Sequence, residues 1–110
     1  MLSEAKKAMR VTAAEFDSEI MLNLMAGAMD LEMAGVVVPG VVSYTEDTNG
    51  AVTDTSTLTD PLVMRALITY ARMRFGSPPD YDRLAEAYEL QKVQLMHADA
   101  YTDYEGGECG

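Results

Sequence analysis

Along the chain the spacing of apolar and polar positions is helical, is then lost, and later returns. In residues 12–34, Phe16, Ile20, Leu24, Gly27/Ala28 and Leu31 recur at helical spacing and share one face. Thr12 followed by Glu15 has the spacing of a capping box. Val11 and Phe16 have that of a hydrophobic staple, and Gly35 supplies a left-handed stop, so the pattern predicts a helix over 12–34. A shorter run before it, Ser3 to about Met9 with Leu2, Ala5 and Met9 apolar, predicts a first helix capped by Ser3. It must lean on the rest of the chain, because isolated helices below ~12 residues are marginal in water.

From Val36 the helical period disappears. The run "VVVPGVVSYTEDTNGAVTDTSTLT" is β-branched, broken by Pro39-Gly40, and carries the turn dipeptide Asn49-Gly50. A small hairpin or an extended arm over 36–58 both fit it. The helical period returns in "DPLVMRALITYARMRF", with Asp60 as N-cap and Pro61 at the first helical position, where a missing N–H does no harm. Leu62/Val63, Ala66/Leu67, Tyr70/Ala71 and Met73/Arg74 trace its apolar face, with Arg65 and Arg72 off it.

The segment "FGSPPD" stops that helix and starts another. Gly76 caps it, Pro78-Pro79 forbids continuation, and Ser77 or Asp80 opens a last helix to His97. Tyr81, Leu84, Tyr88, Gln91/Lys92 and Leu95 are expected on its buried side, with Asp80 and Asp82 at its positive end. So short a connection predicts an antiparallel helical hairpin. The fold class is therefore all-α: a small bundle of about four helices ending in an antiparallel helical hairpin, with a long loop or β-hairpin arm between helices 2 and 3. Residues 1–98 form the domain, with the arm 36–58 inserted, and 99–110, "DAYTDYEGGECG", form a flexible acidic tail.

Composition narrows the function. At 110 residues the chain builds one modest core. With 8 Lys+Arg against 18 Asp+Glu its net charge is −10, which opposes a grip on the nucleic-acid backbone or on an anionic membrane. One cysteine, Cys109, offers no intrachain disulfide and favours a reducing compartment. The stretch "MLSEAKKAMRV" lacks the apolar core of a signal peptide, and no run approaches the ~20 apolar residues of a membrane span, so a soluble protein made inside the cell is expected.

Candidate chemistry is sparse. His97, the only histidine, stands at a helix end, where its charge would favour the negative pole of the helix dipole. One His and one Cys cannot assemble a structural zinc set or a Cys–His couple. The phosphate-binding, dinucleotide-binding, nucleophile-elbow and zinc-protease motifs are missing. Asp47, Asn49 and Gly50 do not meet the spacing of a calcium loop, and Glu15/Glu19 and Glu86/Glu89 read as solvated surface. No catalytic, cofactor or metal site is expected, and the chain does not read as an enzyme.

Methionine is the exception to this plainness. Met21, Met25, Met29 and Met33 recur every four residues beside the Phe16–Leu31 face, so much of one helix is apolar. In so small a domain either another chain meets some of it, or it packs beneath the arm and the first helix. An adaptable interface suits methionine, whose unbranched side chain repacks against varied neighbours. The valines of the arm would be an aggregation hazard unless another subunit covered them. Met21, Met25, Met29, Met33, Val37, Val38, Val41 and Val42 are therefore the expected subunit interface.

The order "SEAKKAMRV", "FDSEIMLNLMAGAMDLEMAGV", an inserted loop, and "DPLVMRALITYARMRFGSPPDYDRLAEAYELQKVQLMHADAYT" resembles the small head-tail connector, or head-completion adaptor, proteins of tailed bacteriophages and prophages. The likeness spans nearly the whole chain and lies in helix punctuation, not in an active-site motif. It implies a non-enzymatic, all-α ring, commonly of twelve copies, docked beneath the portal of a DNA-filled capsid. Such a ring sits in the virion neck, extends the DNA channel and presents the surface on which a stopper or tail-completion protein lands. DNA would pass through without sequence-specific binding, and a carboxylate-lined channel would repel its backbone and let it slide. The Asp60–Phe75 and Asp80–His97 helices match the core hairpin of that family, and the arm and tail match its variable regions. The arm would then reach between subunits, and Tyr101 and Tyr104 would reach toward portal or tail protein.

Two other classes compete. A small acidic regulatory binding module would use the apolar helix face to hold one partner in a dimer or a one-to-one complex. A DNA-binding helix-turn-helix would take the Gly76 elbow as its turn, but Asp80 and Asp82 would then face phosphates.

Overall fold

The computed structural model describes residues 1–76, 78–98 and 101. Among the described residues are four α-helices and one two-stranded antiparallel sheet, in the order α1 (Leu2–Met9), α2 (Asp17–Met33), β1 (Tyr44–Glu46), β2 (Val52–Asp54), α3 (Pro61–Arg74) and α4 (Tyr81–Met96). The fold is mostly helical, and the arm between helices 2 and 3 is a hairpin.

The first helix begins at Leu2, one residue before the predicted cap, and Ser3 does not cap it. Leu2 and Ala5 are buried. The helix ends in a Schellman arrangement: the Arg10 N–H donates to Lys7 O, the Val11 N–H donates to Lys6 O, and Arg10 takes the left-handed conformation at φ 58°.

The predicted start of the second helix at Thr12 is displaced. A 3₁₀ turn, Ala14–Phe16, precedes α2, and neither element has a side-chain cap, so the Thr12/Glu15 capping box does not form. Tertiary contacts set this start. Phe16 meets Phe75 edge to face at 5.4 Å between ring centres, and Lys6 Nζ lies 2.7 Å from Asp17 Oδ1. Both contacts tie the start of α2 to neighbouring elements, and they outweigh a local cap of about 1 kcal/mol. From there Ile20, Leu24, Gly27 and Leu31 are buried as the spacing predicts.

The hairpin pairs Tyr44 with Asp54, Thr45 with Thr53 and Glu46 with Val52. Asp47 Oδ1 accepts from the Asn49 and Ala51 N–H groups and organises the turn. Ser43 extends the ladder beyond the strands by bonding Thr55 and Ser56. The base of the arm belongs to the core: Val36, Val42 and Leu58 are buried. Gly40 permits that closure, because a Cβ there would stand 2.7 Å from Leu58 Cα.

Helix α3 is central and packs on α1, α2 and α4. Asp60 Oδ1 accepts from the Leu62 and Val63 N–H groups at 3.0 and 3.1 Å, and Pro61 follows the cap as predicted. Val63, Ala66, Leu67, Ala71 and Met73 are buried, while Leu62 is exposed. Gly76 turns the chain at φ 64°, a left-handed conformation that glycine adopts without Cβ strain, and α4 returns against α3. Leu84, Tyr88 and Leu95 face the core. Tyr81, expected inside, lies exposed in the first turn, and Asp80 bonds Arg83 instead of the helix backbone.

Candidate assembly surface

Helix α2 is apolar on two sides. Its inner side holds Ile20, Leu24, Gly27 and Leu31, and its outer side carries Leu22, Ala26, Met29 and Met33 at spacings of four, three and four. Successive residues rotate by roughly 100° about a helix axis, so this second set lies opposite the first.

The same geometry corrects the methionine stripe. A step of four residues advances roughly 40° past a full turn, so Met21, Met25, Met29 and Met33 spiral around the helix and do not share a face. Met21 is 0 % exposed and belongs to the core. Met25 is half-buried against the core, whereas Met29 and Met33 are 62 % and 84 % exposed. The arm divides likewise. Val42 is buried at its base and Val38 packs against the core, while Val37 and Val41 face outward. Met21 and Val42 therefore have no surface to offer a neighbour, because they fill the chain's own interior. The outward set is Met29, Met33, Val37 and Val41.

A polar seam joins α2 to α4. The Tyr88 hydroxyl donates to Asp30 Oδ2, and Lys92 Nζ lies 3.3 Å from both Asp30 Oδ2 and Glu89 Oε2. Lys92 also stands 5.3 Å from the Tyr88 ring centre, and Tyr88 packs edge-on against Tyr70. Burial and the Asp30 hydrogen bond push the Tyr88 hydroxyl far above its ordinary pKa. Burial works against the Lys92 ammonium, but its bonds to Asp30 and Glu89 outweigh that and raise its pKa. The spacing predicted only that Lys92 and Tyr88 face inward. The signal for the seam was an aspartate inside the apolar run "AGAMDLEM".

Beyond the seam, the outer face of α4 exposes Leu90 and Val93 among Asp82, Glu86 and Glu89. Sequence reading took this face for solvated surface. Leu90 and Val93 lie off the Leu84–Tyr88–Leu95 register, and that was the available sign.

Tyr101 does not dangle. Its hydroxyl donates to Asp60 Oδ2 at 2.8 Å, its carbonyl accepts from the Val37 N–H, and its ring packs on the core. The Asp60 hydrogen bond raises the Tyr101 pKa. Tyr101, assigned from the sequence to a flexible tail, is thus held against the domain, and Tyr104 lies outside the described residues.

Asp54 fastens the arm to α1. Its Oδ2 accepts from the Leu2 N–H at 2.8 Å and lies 3.0 Å from the Met1 ammonium, and its Oδ1 accepts from the Ser56 N–H. Burial opposes ionisation here, yet the hydrogen bonds from Ser56 and Leu2 prevail and hold the carboxyl well below the usual range.

Among the described residues no three of His, Cys, Asp and Glu cluster as a metal site would, and no helix is long and apolar enough to cross a membrane. These features define a small, mostly helical domain that leaves large apolar side chains exposed on α2, on α4 and on the arm. The profile of the phage connector protein family matches residues 1–102, and the chain belongs to that family, as a head–tail connector of the virion neck. Neither a curated protein nor a solved structure matches it.

Proposed function

We propose that the chain is a structural, non-catalytic adaptor of a tailed-phage virion, a ring of copies, twelve by family resemblance, that sits beneath the portal, extends the DNA channel and joins head to tail. The observation that carries this reading is the outward stripe of Met29 and Met33 on a helix already apolar on its inner side. A helix with two apolar faces in so small a domain is completed by a neighbour. Val37 and Val41 extend that contact from the arm. The net charge of −10 suits a channel that repels the DNA backbone and does not hold it.

The segment 99–110 is proposed to reach the portal or the tail-completion protein. Asp60 keeps its cap through Oδ1 while Tyr101 uses Oδ2, so deleting this segment leaves helicity intact and weakens docking.

Electron microscopy of a phage lysate with the gene disabled tests the proposal. Heads and tails accumulating as separate particles support it. Intact virions overturn it, and the small acidic regulatory binding module then takes its place.

A further inference from the structure

The charges of the chain are segregated over its outward faces. On α4 the exposed Leu90 and Val93 are surrounded by Asp82, Glu86 and Glu89. One helical turn from Glu89 lies the seam to Asp30, so this acidic and apolar face continues toward the outer stripe of α2. A different surface lies between α1 and α3. There Ala8, Pro61, Met64 and Ile68 line an open groove of about 550 Å³, with Arg65 and Arg72 on its rim. The Arg72 side continues into a second recess that holds Arg10 together with Asp80. The two surfaces share no residue.

This grouping of cations is unusual in a chain of net charge −10. Lys7, Arg10, Arg65, Arg72 and Arg74 have no ion-pair partner among the described residues, whereas Lys6 and Arg83 each have one and Lys92 has two. Helix α3 accounts for the pair on the groove. Pro61, Arg65, Ile68 and Arg72 follow each other at spacings of four, three and four, so they share one side of α3, where each is exposed or half-buried. The result is an apolar floor with a cationic rim. It complements in charge the exposed apolar ridge with an anionic rim on α4.

We propose that the α4 face of one copy docks in the α1/α3 groove of the next, with Asp82 and Glu86 set against Arg65 and Arg72 around a contact of Leu90 and Val93 with Met64 and Ile68. The inference deepens the connector reading and rests on it for the identity of the occupant, a second copy of this chain. The contact is heterologous, since it joins two different patches, and a heterologous contact repeated by rotation closes into a ring. Head-to-tail geometry also explains why the two patches carry opposite sign.

Sedimentation velocity of the full chain tests the pairing. The unaltered protein self-associates, and raising the salt weakens that association. Asp82→Lys/Glu86→Lys reverses one face, and Arg65→Glu/Arg72→Glu reverses the other. Each variant keeps its circular dichroism spectrum and loses association at least tenfold; Arg65→Glu alone, at an exposed site, serves if the double change lowers helicity. Mixed one to one, the two variants associate again, because reversed ridge meets reversed groove and native ridge meets native groove. Variants that associate like the unaltered chain overturn the pairing, as does a mixture that stays monomeric or an unaltered chain monomeric at about millimolar concentration. Association that survives reversal and vanishes on removal of 102–110 would assign self-association to that segment and also overturn the pairing. The connector reading fails separately, through intact virions in the gene-disabled lysate, whatever the variants do.

Discussion

The Tyr88 hydroxyl donates to Asp30 Oδ2 and thereby ties the last helix to the second across 58 residues of sequence. Tyr88 is buried, and its ring also meets Tyr70. Replacing it by Phe keeps the ring and removes only the hydrogen bond to a charged acceptor. Tyr88→Phe is expected to lower stability by about 1.5–2 kcal/mol in urea denaturation, the lower part of the range for hydrogen bonds to charged groups. The loss stays modest because Lys92 still faces Asp30. In an Asp30→Asn background the same change should do less, since the two residues share one interaction. Fully additive effects would show that the bond contributes nothing of its own.

Gly27 lies where α2 packs against Leu67 and Tyr70 of α3. A Cβ at this position would stand 3.1 Å from Leu67 Cδ2 and from the Tyr70 ring. The ring has little room to retreat, held by Tyr88 at 5.2 Å between centres and by the Arg74 guanidinium 5.0 Å from its own centre. Alanine gains about 1 kcal/mol of helix propensity over glycine, while overpacking a core costs about 1–3 kcal/mol. Gly27→Ala is therefore expected to be less stable than the parent by about 1 kcal/mol. A raised thermal midpoint would show that the Tyr70 ring yields.

Acid should weaken the tie between the arm and α1. Asp54 has a folded-state pKa below its ordinary value of 3.8, so its contribution to stability is present above that value and is lost as pH falls through the folded-state pKa. Comparison with Asp54→Asn isolates the effect. The stability difference between the two proteins should be constant from neutral pH down to about pH 5 and shrink steadily below about pH 4. A difference that does not change with pH would mean that the Leu2 and Ser56 bonds do not favour the charged form.

Much of this fold is written in local punctuation. Asp60-Pro61 and Gly76 with Pro78-Pro79 mark boundaries by backbone chemistry alone, and those boundaries stand in the structure. The start of α2 was not legible, because the contacts of Phe16 with Phe75 and of Lys6 with Asp17 override a local capping signal. The seam of Asp30, Tyr88 and Lys92 joins positions about sixty apart, and no periodicity relates them. The candidate surface was half legible. Four-residue spacing identified the methionines but not their faces, since the rotation of roughly 40° per step turns Met21 inward and Met33 outward.

That rotation supplies the sharpest test of the assembly surface. Met29 and Met33 are exposed, so glutamate at both positions takes no apolar side chain out of the core. Surface changes of this kind usually alter stability by less than about 0.5 kcal/mol. Met29→Glu/Met33→Glu should therefore keep the helical spectrum and thermal midpoint, yet fail to restore joined virions when supplied to a phage that lacks the gene. Met21→Glu is the contrasting case: it places a carboxylate among Ile20, Leu24 and the rest of the core, without a partner, and should unfold the chain or lower its midpoint severely. The pair of outcomes separates surface from interior on one helix. If the Met29/Met33 variant folds and also joins heads to tails, the outer stripe of α2 is not an assembly contact, and the burden of holding the ring shifts to the charged faces of α3 and α4.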